Sequence, residues 1–208
     1  MSLPNDISLI EDEETLRGMH PAPMSRATDK VQRTLDVHCR SIIERSPFAI
    51  IATQGPGGAD VSPRGDPPGF VQMLDDKHVL LPDRVGNNRL DTLTNLLNNP
   101  RIGLLFLVPG MGETLRINGT AKITDDPRLL ARCTVEGRTP KVAVLITIEE
   151  AFVHCSKALK RSDLWNPERH IDRTELPSYT AMLLDQCKAL TEDENARQDA
   201  VMAERGLY

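Results

Sequence analysis

The chain alternates short apolar runs with polar breaks marked by proline or glycine, and the spacing within each run sets the element it predicts. Val31, Leu35, Ile42 and Ile43 recur at helical spacing behind Thr28-Asp29 and stop at Ser46-Pro47, which predicts an amphipathic helix. Phe48 to Thr53, the Gly55-Pro56-Gly57-Gly58 turn and Asp60 to Pro63 read as a hairpin, followed by an irregular stretch over Arg64-Gly65-Asp66-Pro67-Pro68-Gly69. Phe70 to Met73 and His78 to Leu81 form a second strand pair across Asp75-Asp76-Lys77. Asn88 to Asn98 places Leu90, Leu93, Leu96 and Leu97 on one helical face, and Asn99-Pro100 ends that helix by removing a backbone donor. A strand over Arg101 to Val108 leads through Pro109-Gly110-Met111-Gly112 into the clearest alternation: Leu115, Ile117, Ala121 and Ile123 against Arg116, Asn118, Thr120 and Lys122. Pro127 to Cys133 reads as helical, and Lys141 to Ile148 and Ala151 to Cys155 as two more strands. From Ser178 onward the chain reads as helical, with a weak apolar stripe at Met182, Leu183, Cys187 and Leu190.

Short strands at hairpin separations, punctuated by a few helices, predict a mainly β fold with flanking helices, a small antiparallel barrel. No longer period repeats, which argues against solenoids and propellers. Residues 1–27 are polar and interrupted by Pro4, Pro21 and Pro23, and are expected to form an extended N-terminal arm. The barrel is expected over residues 28–175 and a helical extension over residues 176–208.

With 25 Lys+Arg against 30 Asp+Glu in 208 residues, the formal charge is −5, and aromatic residues make up 3%. Such a chain has no overall attraction for phosphodiester backbones and few stacking platforms, so no nucleic-acid partner is expected and any anion site is local. The longest apolar stretches, Ile102 to Val108 and Val142 to Ile148, fall far short of the about 20 residues that cross a bilayer. The N-terminus lacks the charged and apolar segments of a secretory signal, and Glu11-Asp12-Glu13-Glu14 opposes mitochondrial import, so a cytoplasmic location is expected. Cys39, Cys133, Cys155 and Cys187 are scattered without a Cys-x-x-Cys pair and are expected to be buried free thiols; no metal cluster is expected. Dinucleotide, phosphate-loop, nucleophile-elbow and zinc-protease motifs are all missing, which argues against those enzyme classes.

What remains is a set of basic and amide side chains at strand ends and turns: Arg64; Arg84, Asn87, Asn88 and Arg89; Arg116 and Asn118; Lys157, Lys160 and Arg161. A terminal phosphate offers several acceptor oxygens and suits arginine forks, lysines and helix N-terminal amides acting together. Each of these residues could equally be a solvated surface charge. Arg116 departs furthest from that reading, because the other side of its strand is core. Lys157, Lys160 and Arg161 precede Trp165, the chain's single tryptophan. A lone tryptophan is more often a packing residue, yet beside a cation cluster it suits a planar ring bearing a phosphate.

These stretches, in this order, resemble the pyridoxamine 5'-phosphate oxidase-like, FMN-binding split-barrel family. The resemblance is carried by Val61-Ser62-Pro63-Arg64-Gly65-Asp66-Pro67-Pro68-Gly69-Phe70-Val71, by Leu81-Pro82-Asp83-Arg84 with Gly86-Asn87-Asn88-Arg89, and by Asn98-Asn99-Pro100-Arg101. Thr114-Leu115-Arg116-Ile117-Asn118-Gly119, Phe152-Val153-His154-Cys155 and Lys157 to Trp165 complete it, over about residues 30 to 166. It implies an antiparallel split β-barrel, a homodimer, and one FMN in each of two clefts between subunits. By position, Ser62 and Arg64 match the strand along the flavin, and Asn87, Asn88 and Arg89 match the loop and helix start that hold the FMN phosphate. Arg116 and Asn118 match the strand facing the ring and ribityl chain, while Lys157, Lys160, Arg161 and Trp165 match the segment that completes the site.

The resemblance implies an FMN-dependent oxidoreductase in which the flavin does the chemistry and no catalytic side chain is required. The family's Arg-Leu-His pattern near the C-terminus is missing here, which argues for a substrate other than pyridoxamine 5'-phosphate. A barrel that binds flavin or another planar cofactor for storage or sensing, without turnover, is the alternative function.

Overall fold

The computed structural model describes residues 6–206. Its contacts divide the chain into two compact units, Met1–Val31 and Gln32–Tyr208. In the first unit, helix α1 (Glu13–Gly18) is capped by Asp12, whose side chain accepts from the Thr15 amide at 2.7 Å, and a single turn, α2 (Ser25–Thr28), follows. The segment expected to be extended therefore carries helical turns, because Asp12 supplies a cap that proline positions alone do not reveal.

The second unit begins with helix α3 (Val37–Arg45). Its start lies six residues beyond Val31, where helical spacing places it, because the Asp36 carboxylate accepts from the Cys39 amide at 2.7 Å and Gln32 is committed to a bridge with Ala151. Seven strands follow in one wholly antiparallel sheet: β1 (Phe48–Gly55), β2 (Gly58–Gly65), β3 (Gln72–Met73), β4 (His78–Pro82), β5 (Arg101–Leu107), β6 (Thr114–Thr124) and β7 (Ala143–His154). Their order is β2-β1-β5-β6-β7-β4-β3, and the terminal strands β2 and β3 do not pair with each other, so the barrel is split. Helix α4 (Asp91–Asn98) lies between β4 and β5 in sequence, and α5 (Pro127–Leu130) with a 3-10 turn (Ala131–Cys133) lies between β6 and β7. Helices α6 (Lys157–Ser162), α7 (Tyr179–Gln186) and α8 (Glu192–Arg205) follow β7, and the tail is two separate helices divided at Cys187.

Two strand boundaries differ from the sequence pattern. Arg64 and Gly65 belong to β2, paired with Ala49 and Phe48, so the irregular stretch begins only at Asp66. The two strands expected over residues 141–155 are one strand. The Asn118–Gly119 step of β6 faces a bulge in β7, where Asn118 pairs with Glu150 and Gly119 with Ile148, so Glu149 is the extra residue rather than part of a turn. Gly119 is required there, since a Cβ would collide with the Thr147 carbonyl.

One face of the sheet carries the core. Ile51, Leu104, Ile117 and Ala151 lie in register across four strands, each at most 2% exposed, and α3 packs over them with Cys39, Ile42 and Ile43. Full burial of such a branched side chain contributes roughly 1.5–3 kcal/mol. The β4–β7 region is covered on its other face too, where Leu80, Leu130, Cys133 and Ala143 form a second cluster. That double burial is why Val79-Leu80-Leu81 reads as a continuous apolar run. Over β2, β1, β5 and β6 the opposite face carries Pro63, Ile50, Leu105 and Arg116 in one cross-strand row, with Phe48 and Val61 exposed beside it. The row ends on β7 at Phe152, whose ring lies 5.1 Å from the Arg116 guanidinium carbon. No helix among the described residues is long and apolar enough to cross a membrane.

Candidate functional site

Strand β2 ends beside a cavity of about 930 Å³ lined from three directions: by β2 (Asp60, Ser62, Arg64), by the loop from Asp83 to Leu90 with the first turn of α4, and by Arg138 and Lys141 ahead of β7. Asp60, Ser62 and Arg64 share one face of β2 because side chains alternate, and that face is the one turned toward the core residues Ala49 and Ile51. The buried Thr92, in the first turn of α4, ties helix to strand. Its hydroxyl donates to Asp60 Oδ2 at 3.0 Å, lies 3.1 Å from Ser62 Oγ, and accepts from Arg64 Nη2 at 3.2 Å. Arg64 Nη1 donates to Ser62 Oγ at 3.0 Å and to the Pro63 carbonyl at 2.9 Å.

The loop before α4 is held in an uncommon shape. Asn88 and Leu90 have φ of 59° and 60°, and a leucine in that left-handed region costs about 1–2 kcal/mol. Asn87 Oδ1 accepts from the Arg89 amide at 3.1 Å, which tightens the turn. Leu90 occupies the N-cap position and supplies no side-chain cap, so the first-turn amides of α4 receive no help from it. Arg89 Nε donates to Asp91 Oδ2 at 2.7 Å, and that bond raises the Arg89 pKa above its ordinary value. Asp83 is half-buried on the cavity wall; burial pushes its carboxyl up, opposed by the charge of Arg64.

The structure thus brings Ser62, Arg64, Asn87, Asn88 and Arg89 into one cavity. The remaining residues expected at the site lie elsewhere on the chain. Arg116 and Asn118 pair with Leu105 and Gly103, on the opposite face of the sheet from Ser62 and Arg64. Arg116 stacks on Phe152, and Asn118 Nδ2 donates to Glu150 at 3.1 Å. Lys157, Lys160 and Arg161 are exposed on α6, while the Trp165 indole N–H donates to the Met111 carbonyl at 2.8 Å and so anchors the segment after α6.

Arg84 also lines the cavity, yet it is a structural cation: its Nε is 2.5 Å from the buried Asp66 carboxylate and its Nη1 donates to the Cys133 carbonyl at 2.8 Å. Asp60, Thr92, Arg138 and Lys141 escape a reading of the sequence. The alternation Asp60-x-Ser62-x-Arg64 was available to find the first of them, but nothing in the sequence joins Thr92 to that strand. The thiols divide as well. Cys39 and Cys133 are buried as expected, whereas Cys155 and Cys187 are exposed, because Cys155 follows the end of β7 and Cys187 ends α7. No cluster of metal-binding side chains occurs among the described residues.

A split antiparallel barrel with a cation-lined cavity at the strand–helix junction defines the class of protein. Residues 35–155 match the family model described as Pyridoxamine 5'-phosphate oxidase, and the chain belongs to that family. No curated protein matches the chain. Similar solved structures include HupZ of Group A Streptococcus, with 20% identity over 59% of this chain and 95% of that one at a TM-score of 0.49. A protein of Clostridium acetobutylicum related to general stress protein 26, from the pyridoxinephosphate oxidase family, is 18% identical over 57% of this chain and 87% of that one (TM-score 0.44). An FAD-binding protein of Mesorhizobium loti is 18% identical over 59% of this chain and 94% of that one (TM-score 0.41). Membership rests on the match over residues 35–155.

Proposed function

We propose that this chain is an FMN-binding oxidoreductase that works as a homodimer, on a substrate other than pyridoxamine 5'-phosphate. The observation that carries the reading is the convergence of Arg64, Asn87, Asn88, Arg89 and the first turn of α4 on one cavity. These groups fit a phosphate. Of the five N–H donors of a guanidinium, Arg64 commits three to Ser62, Pro63 and Thr92, which leaves Nε–H and one Nη2 hydrogen without a hydrogen-bond partner among the described residues at the cavity wall. Uncapped first-turn amides and the positive end of α4 favour an anion at the same place. Bound FMN supplies two-electron redox chemistry, and the protein contributes binding and orientation.

The homodimer is supported by the sheet face that carries Ile50, Leu105 and Phe152 with exposed Val61 and Phe48, an apolar surface suited to a second copy. Arg116 and Asn118 lie on that face, and pairing of two copies there gives them, with Lys157, Lys160, Arg161 and Trp165, a route to the partner's cofactor. The different substrate is supported by the Arg-Leu-His tripeptide occurring nowhere in the sequence.

The test is an absorption spectrum of the purified protein, identification of the released chromophore, and FMN titration of Arg89→Ala beside Arg26→Ala. Arg89→Ala is expected to weaken FMN retention while Arg26→Ala leaves it unchanged; equal retention overturns the phosphate assignment. Anaerobic bleaching of the bound flavin by NADH or NADPH, with colour returning in air, marks an enzyme. Colour that persists with every reductant marks a carrier or sensor.

A further inference from the structure

We propose that Asp60 and Thr92 are positioning residues that set the direction of a hydrogen-bond chain and so aim Arg64 at the ligand's phosphate. The inference rests on the phosphate reading above and assigns roles to two residues outside it.

Hydroxyls fix the logic. A threonine or serine hydroxyl has one hydrogen to give and two lone pairs to receive, whereas a carboxylate only receives and a guanidinium only gives. Asp60 Oδ2 lies 3.0 Å from Thr92 Oγ1, so the Thr92 hydrogen goes to Asp60. The contact between Ser62 Oγ and Thr92 Oγ1, at 3.1 Å, could run either way by itself. With the Thr92 hydrogen committed, it runs from Ser62 to Thr92. Both hydroxyl oxygens are then left as acceptors, and Arg64 fills them with Nη1 on Ser62 and Nη2 on Thr92. A second branch ends on the same carboxylate: Asn95 Nδ2 donates to Thr53 Oγ1 at 3.2 Å, and the Thr53 hydroxyl reaches Asp60 Oδ2 at 3.5 Å.

Every hydrogen in the chain therefore runs toward Asp60. Thr92 and Thr53 are 4% and 5% exposed, so the hydroxyls that anchor the chain are buried, while Arg64 reaches the wall of the cavity. Two consequences follow. Ser62 has no hydrogen left for a ligand, and serves as a support for Arg64. The guanidinium is held in one orientation before the ligand arrives, which lowers the ordering cost of binding.

The experiment titrates wild type, Thr92→Ser, Thr92→Val and Asp60→Asn with FMN and with riboflavin, which lacks the phosphate, and records each protein's melting midpoint to confirm folding. In parallel, 15N NMR follows the Arg64 guanidinium without ligand. Thr92→Val removes the acceptor, and Asp60→Asn places a possible donor where the chain needs an acceptor. Both are expected to reduce the preference for FMN over riboflavin about tenfold. Thr92→Ser is expected to retain it. Separate, slowly exchanging Arg64 Nη signals are expected in wild type and Thr92→Ser, and averaged signals in the other two.

An unchanged FMN preference in folded Thr92→Val and Asp60→Asn overturns the positioning role while leaving the flavin reading intact. A wild type without preference for FMN overturns the phosphate reading and, with it, the aim of Arg64 at a phosphate. The NMR signals then still decide the remaining claim: averaged Arg64 signals in wild type overturn the hydrogen-bond chain itself.

Discussion

Arg84 Nε lies 2.5 Å from Asp66 Oδ2, and the Asp66 side chain is 1% exposed against 15% for Arg84. The pair closes the segment after β2 onto the end of β4, and a third partner, the Cys133 carbonyl, takes an Nη1 hydrogen. Removing the cation takes the ion-pair partner from a buried carboxylate. Arg84→Ala is expected to lower stability by about 3–5 kcal/mol in urea unfolding, with a smaller m-independent loss for Arg84→Lys. The surface pair Arg128–Asp126, with Arg128 at 89% exposure, serves as the control. If Arg128→Ala costs as much as Arg84→Ala, burial is not what gives the first pair its weight.

The bulge at Glu149 makes a second prediction. Gly119→Ala drives a methyl group into the Thr147 carbonyl, and neither strand has slack where the register shifts. A loss of about 3 kcal/mol or more is expected. Gly57→Ala, in the β1–β2 turn, meets nothing within 4 Å and is expected to leave the thermal midpoint nearly unchanged. Equal midpoints for the two variants count against the bulge as a fixed feature.

Thiol chemistry divides along burial. Desolvation, reinforced by Asp36, pushes the Cys39 thiol up to about 12, and burial raises Cys133 in the same direction. Native protein treated with iodoacetamide at pH 8 is expected to be modified at Cys155 and Cys187, with Cys39 and Cys133 labelled only after unfolding, as read by peptide mass mapping. The sign for stability follows: an unfolded Cys39 ionises near pH 9 and the folded one near 12, so its contribution is complete below pH 9 and declines as pH rises toward 12. Stability that is flat across this window contradicts the buried thiol.

The proposed homodimer is tested on the outer sheet face. Val61 is 66% exposed, so Val61→Glu is expected to leave the fold intact while shifting the protein toward monomer in analytical ultracentrifugation. Its FMN affinity is expected to fall with the dimer. A folded, fully dimeric Val61→Glu protein places the interface elsewhere.

Much of the barrel was legible in the sequence because its signals are local. Alternation gave β6 with the right residues inward, glycine and proline marked the β1–β2 and β5–β6 turns, and Asn99-Pro100 marked the end of α4. The errors occur where a distant partner overrides a local pattern. Val31 to Leu35 has helical spacing, but Gln32 pairs with Ala151. Ile148 to Ala151 looks like a break between strands, but continuous pairing with β6 carries the chain through a bulge.

The same division runs through the site. By itself the sequence determined which residue types are present and, within an uninterrupted alternation, on which side of a strand each one stands, since that parity is a property of the backbone: Arg116 and Asn118 together, and Asp60 with Ser62. Only the tertiary structure decided that Arg64 continues β2 on the side of Asp60 and Ser62 and that the two sets face opposite ways, because pairing with β1 extends the strand and the assembled sheet covers the core with one face. It also decided that Arg84 is neutralised by Asp66, and that Thr92, from a helix about thirty residues later in the chain, meets the hydroxyl and guanidinium of β2. Hydrogen bonds that join side chains so far apart in sequence leave no periodic trace, and come into being only when packing brings the elements together.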